Sequence, residues 1–198
     1  MYVSGTNSSV SMSSSSCINN TAVQEGGGAI YVNSRYANVS LTSSIFTHNS
    51  ASYCGVLDVD DYDHFSADLT NSVFTHNTAT GQTIGGGVTC IRNASINIIN
   101  SSFKHNSANY HAGVFYIDES VTTVDGSLFI NNSAALDGGV FYTYVHASDY
   151  FITGSQFSEN TAGDDGGVFL IGRLNSNIVF KESIFDFMMQ ETEEAWSL

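Results

Sequence analysis

The stretch that decides the fold is SSFKHNSANYHAGVFYID, residues 101–118. Its first half, Ser101-x-Phe103-x-x-Asn106-Ser107-Ala108, and its second half, Gly113-Val114, recur along the chain in one register. The phenylalanine position is held by Phe46, Phe74, Phe103, Phe129 and Phe157, with Cys17 in the first copy and Phe185 opening a last, unfinished one. From Cys17 to Phe185 the successive gaps are 29, 28, 29, 26, 28 and 28 residues. A fixed period of this size marks a stacked array. Arrays offer long surfaces more often than closed catalytic pockets, so the period also bears on function.

Aligned on the phenylalanine, further columns stand out. Serine lies two residues before it in every copy, from Ser15 and Ser44 to Ser155 and Ser183. Asparagine lies three residues after it, at Asn20, Asn49, Asn77, Asn106, Asn132 and Asn160, with alanine two residues further on. Gly28, Gly55, Gly87, Gly113, Gly139 and Gly167 open the second half, each followed by Ala or Val. Beyond the glycine the chain alternates: Phe115 and Ile117 share one face, Tyr116 the other, and Ile30, Val32 and Tyr31 do the same. Alternation of this kind is a half-buried strand. A third apolar stretch, with Leu41, Leu69, Ile98, Val124 and Ile152, leads back into the serine.

One geometry accounts for all the columns. If each copy is one coil, equivalent residues stack about 4.8 Å apart. The phenylalanines then form a buried stack, and the asparagines a ladder whose side-chain amides bond to the coils above and below. The alanines mark a narrow corner, and the glycines a backbone with unusual φ/ψ or close approach. The expectation is an all-β, right-handed, single-stranded parallel β-helix, a pectate-lyase-like solenoid of six to seven coils. An antiparallel sandwich has no reason to keep these columns at one spacing. Residues 1–14 read as an irregular start, 15–187 as the repeats and 188–198 as an acidic cap or tail.

Five Lys and Arg stand against nineteen Asp and Glu, a net charge of −14. That excess argues against nucleic acid or anionic lipid as partner. No run of eighteen apolar residues is present to span a bilayer as a helix. The acidic, Ser/Asn-rich composition suggests an extracellular setting. Of the three cysteines, Cys17 stands in the phenylalanine column. Cys54 lies just before its coil's glycine and Cys90 three residues after the next one, so the spacing predicts no disulfide between them. The start, MYVSG, does not read as a signal peptide, and the chain is expected to be part of a longer protein.

The pairing of Phe-x-x-Asn with Gly27-Gly28-Ala29-Ile30, and its variants at Gly86-Gly87-Val88, Gly138-Gly139-Val140 and Gly166-Gly167-Val168, resembles the repeats of chlamydial polymorphic outer membrane proteins and related adhesin-like β-helix proteins. The resemblance spans roughly residues 15–185. It implies a surface-exposed β-helix acting in adhesion, on the outer membrane if the source is bacterial, with a protein or glycan of a host or neighbouring cell as partner.

Candidate sites follow from the columns. Tyr31, Tyr116 and Tyr142 are predicted to face outward, where rings stack on sugars or anchor a protein. His48, His76 and His105 precede the ladder asparagines on consecutive coils and would share a metal ion or titrate together. Asp58 and Asp60, within an acidic group that runs to Asp63, suit weak calcium binding. No other cofactor is expected. The same fold carries polysaccharide lyases and hydrolases, but the five basic residues are scattered and only Asp58 and Asp60 offer a carboxylate pair. Binding or adhesion is therefore the leading reading, with a carbohydrate-active enzyme or a structural spacer as alternatives.

Overall fold

A computed structural model describes residues 1–24, 26–59, 65–83, 85–143, 146–172 and 176–186. Among them there is no helix. Short extended segments separated by tight corners form three seven-stranded sheets and one six-stranded sheet. A central coil shows the path. Ala94–Ile99 lies in the second sheet, Ser102–Lys104 in the third, Ser107–Ala108 in the narrow fourth, and Phe115–Asp118 in the first. Each segment pairs in parallel with its equivalents one coil away: Phe103 faces Phe74 and Phe129, and Ile98 faces Leu69 and Val124. This is the parallel β-helix that the columns predict.

Two details differ from the sequence reading. Residues of the expected irregular start already lie in the array: Tyr2–Thr6 pairs with Ile30–Arg35, and Ser9–Ser13 with Asn38–Thr42. Among the described residues, six coils also have a fourth, two-residue strand, such as Ser107–Ala108, which pairs with Ser133–Ala134. The alanine column is thus a strand position, with Ala51, Ala79, Ala108 and Ala134 buried. The expected tail at 188–198 lies outside the described residues.

The interior follows from the period-two alternation. Phe46, Phe74, Phe103, Phe129, Phe157 and Phe185 stack with centroids 4.7–5.0 Å apart and planes within 6° of parallel. Phe115, Phe141 and Phe169 form a second stack from the first sheet, and Phe115 meets Phe103 edge-on at 5.0 Å. Each buried ring contributes about 1.5–3 kcal/mol of transfer free energy, and the edge-on contacts add favourable quadrupole terms. The glycine column answers to backbone proximity. A Cβ on Gly113 would lie 2.1 Å from the Gly139 carbonyl oxygen one coil on.

The corners carry the specificity. Residues just before the ladder asparagines sit in the left-handed region: Asn19, His48, His76, His105, Asn131 and Glu159 have φ of 52–57°. The turn leaves the next N–H without a backbone carbonyl in line, and the asparagine amide of the following coil takes it. Asn77 N–H donates to Asn106 Oδ1 at 3.0 Å, and Asn106 N–H to Asn132 Oδ1 at 3.0 Å. The Asn106 Nδ2 group donates back to the Phe74 carbonyl at 3.0 Å and on to Asn132 Oδ1. The serine column repeats the device: Ser72 N–H donates to Ser101 Oγ, whose hydroxyl donates to carbonyls of Leu69 and Ile99.

Asn106→Ala orphans the buried Asn77 N–H and removes an additional amide bond to the Phe74 carbonyl. It is expected to destabilise by about 1–3 kcal/mol. Asn20→Ala, at the exposed end of the ladder, removes one amide bond and should cost less than about 1 kcal/mol. Urea midpoints of the two variants test the ladder, and equal losses would contradict it.

Candidate functional site

The histidine column stands on the left-handed corners, so its side chains project from the rod. His48, His76 and His105 are exposed and stack with centroids 4.9 Å apart, the first pair parallel within 2°. Nδ1 of His48 and of His76 lies 2.8 Å from the hydroxyl of the preceding threonine, Thr47 or Thr75. Equivalent nitrogens of a parallel stack are as far apart as the rings and point the same way. A shared Zn²⁺ needs nitrogens about 2.0–2.1 Å from the ion, at most about 4.2 Å from each other. The stacked arrangement therefore does not form the expected chelate. It does couple the rings electrically: burial, then His105 and His48, lower the His76 pKa.

The tyrosine column requires a correction. Tyr116 and Tyr142 do face away from the main core, as the alternation predicts, but they are only 4% and 6% exposed. They form a second small core with Cys54, Cys90 and Ala112, flanked by Tyr53 and Leu170. The turns before the coil glycines fold over this outer face: His111 stacks on Tyr142 at 4.2 Å, and Tyr110 packs edge-on against His111. Burial raises the Tyr116 phenol, against the pull of Arg92, whose guanidinium carbon lies 5.8 Å from the ring centroid. Tyr31, nearer the N-terminal end, is half-buried against Tyr2. These rings offer little open surface to a sugar.

The cysteine expectation is also overturned. Cys54 and Cys90 form a disulfide, with Cα atoms 5.7 Å apart. Along an unrolled coil the two positions look distant, one before the glycine and one three residues after it. The chain doubles back there: a Cβ on Gly86, which pairs with Cys54, would lie 2.2 Å from the Thr89 carbonyl oxygen. The residue before the glycine and the residue three beyond it are thus neighbours across adjacent coils.

Sequence reasoning assigned no role to His111 and His146. His111 sits 3.1 Å from Asp137, and burial lowers its pKa against the opposing pull of Asp137 and Asp164. Asp118 is 2% exposed, and its carboxylate accepts from His146 N–H at 2.6 Å and lies 2.9 Å from His146 Nδ1. No sequence signal marks this pair, which closes the corner after the first sheet. Of the calcium candidates, Asp58 lies in the first sheet in register with Tyr31 and Cys90, whereas Asp60 and the rest of that group, with His64, lie outside the described residues.

The third sheet presents a different outer face. One outward column reads Ser16, Ile45, Val73, Ser102, Leu128, Gln156 and Ile184. Ile45, Val73, Leu128 and Ile184 in it are exposed, and Ile18 extends the apolar surface in the next column.

Residues 14–33 match the Chlamydia polymorphic membrane protein repeat. That segment is the copy carrying Gly27-Gly28-Ala29-Ile30, and the match bears out the resemblance read from it. No curated protein and no solved structure matches the chain. No helix among the described residues is long and apolar enough to cross a membrane.

Two measurements follow. The lowered His76 pKa means the folded chain binds fewer protons there than the unfolded chain. Its stability contribution is complete above the unfolded imidazole value and is lost as pH falls from there through the lower folded value. The urea midpoint should therefore drop as pH falls below about 6.5, and His76→Asn, a residue the column already uses, should shrink that drop. An unchanged pH dependence in the variant would contradict the coupling. Reduction of Cys54–Cys90 opens a loop of sequence separation 36. It should cost about 3–4 kcal/mol, read as a lower midpoint with unaltered far-ultraviolet circular dichroism.

Proposed function

We propose that this chain is a rigid solenoid segment of a surface protein that attaches to a protein of a host or neighbouring cell through the outer face of its third sheet. The observation that carries this reading is the exposed aliphatic column, Ile45, Val73 and Leu128, running along the rod. Exposed apolar surface bordered by polar residues marks interaction sites. Ile45 and Val73 are neighbours in the column, Ser102 stands between Val73 and Leu128, Gln156 follows Leu128, and Thr47, Thr75 and Lys104 form the flanking column. The exposed members are aliphatic, while Tyr116 and Tyr142 are covered, which favours a protein partner over a glycan. The match of residues 14–33 to a membrane-protein repeat supports the surface setting. It lends nothing to the lyase or hydrolase alternative, and Asp58 lies beside a disulfide.

The test is binding of the purified chain to arrays of cell-surface and matrix proteins, with a glycan array in parallel. Replacing Ile45, Val73 and Leu128 by serine should weaken a protein hit by at least about tenfold, or 1.4 kcal/mol, with the unfolding midpoint unchanged. Binding retained by the triple variant would exclude this face. Hits confined to glycans would exclude a protein partner, and blank arrays from a folded chain would favour the spacer.

A further inference from the structure

Two columns change character together at one place on the rod. Before the coil glycine the other coils carry Gly27, Gly86, Ala112, Gly138 and Gly166, where this coil carries Cys54. The position is confined: a Cβ on Gly166 would lie 2.1 Å from the Phe169 carbonyl oxygen. In the column of Tyr31, Tyr116 and Tyr142 stand Asp58 and Cys90, next to each other in register. The sulfurs of Cys54 and Cys90 and a carboxylate oxygen of Asp58 all lie within 4.8 Å of one another. Cys54 is fully buried and Cys90 nearly so, walled by Tyr53, Ala112, Tyr116 and Tyr142. Two sulfurs and a carboxylate oxygen this close form a donor set that a divalent cation can use once the sulfurs are thiolates.

The geometry points to a redox-gated metal site: a disulfide in the oxidised chain and, after reduction, a Cys54–Cys90–Asp58 centre for one Zn²⁺ or a similar borderline-soft divalent ion. Zinc takes thiolate sulfur at about 2.3 Å and carboxylate oxygen at about 2.0–2.2 Å. The sulfurs of a tetrahedral centre then stand about 3.8 Å apart, a separation that side-chain rotation reaches from Cα atoms 5.7 Å apart. The fourth position is left to water. An external dithiol supplies the reduction: it loses two electrons and two protons and closes its own disulfide, while Cys54 and Cys90 gain them and become thiols. Metal binding then releases both thiol protons to solvent. Either form ties the same two coils together, so the rod keeps its staple when the disulfide is opened.

The test uses the whole chain, reduced with a dithiol, desalted under argon and titrated with Co²⁺. One equivalent should bind, with sulfur-to-cobalt charge-transfer absorption and tetrahedral ligand-field bands, and Zn²⁺ should displace it. The oxidised chain and the C54S and C90S variants should lack the sulfur band, while H76N keeps it. Asp58→Asn should weaken binding by at least about tenfold, the loss seen even for outer-shell partners of a metal. If the reduced chain binds Co²⁺ no better than the C54S/C90S double variant, the site does not exist. Unchanged binding by D58N would remove Asp58 as ligand. Should reduction melt the rod, recovery of its circular dichroism on adding Zn²⁺ supports the site, and failure to recover overturns it.

Discussion

A strand that turns a corner leaves one N–H facing the next coil with no carbonyl in line, and the rest of this structure depends on how that N–H is met. The chain meets it the same way at successive corners. A residue with positive φ makes the turn, and the Ser or Asn after it lends its side chain to the coil before. Each bond contributes only about 1 kcal/mol net, but leaving the group unmet costs about 1–3 kcal/mol. Because the acceptor always comes from the neighbouring coil, the Ser-to-Asn segment cannot change length. Variation in coil length, from 26 to 29 residues, falls elsewhere: four residues lie between Ala108 and Gly113, and seven between Ala79 and Gly87.

That constraint explains what could be read without coordinates. The Phe, Asn and Gly columns repeat in identity as well as in character, and each has a single structural reason to do so. Serine was equally constant, yet its part was hidden. Its hydroxyl accepts from the neighbouring coil and donates to the carbonyl two residues back, as Ser72 does to Thr70, a bond that exists only once the corner is formed. The fourth ladder was hidden for a similar reason, since two residues are too few to show alternation.

The outer face was read less well, and the reason is geometric. Alternation tells which way Tyr116 and Tyr142 point relative to the core, but not what the intervening turn lays over them. Tyr110, His111 and Ala112 form such a turn, and no periodic signal sets its path. The Cys54–Cys90 bond failed to emerge for the same reason. Counting positions along a coil treats it as a flat ring, whereas the backbone at Gly86 folds back onto Thr89. The histidines differ again. They stand on the corners, where the left-handed backbone sets a parallel stack in which the ring nitrogens do not converge.

The two outer faces are therefore not equivalent, and the difference bears on function. Over the first sheet the chain covers itself with its own turns, tyrosines and a disulfide, so the residues there answer to packing. Over the third sheet nothing in the ladder constrains the outward column, because its side chains point away from both the phenylalanine stack and the corner amides. The sequence there runs through Ser16, Ile45, Val73, Ser102, Leu128 and Gln156, while the inward neighbours stay Phe from Phe46 to Phe157. Serine and glutamine show that the fold accepts polar groups at this position. Aliphatic side chains there pack across coils, as Ile45 does beside Val73, and still leave apolar surface exposed to solvent.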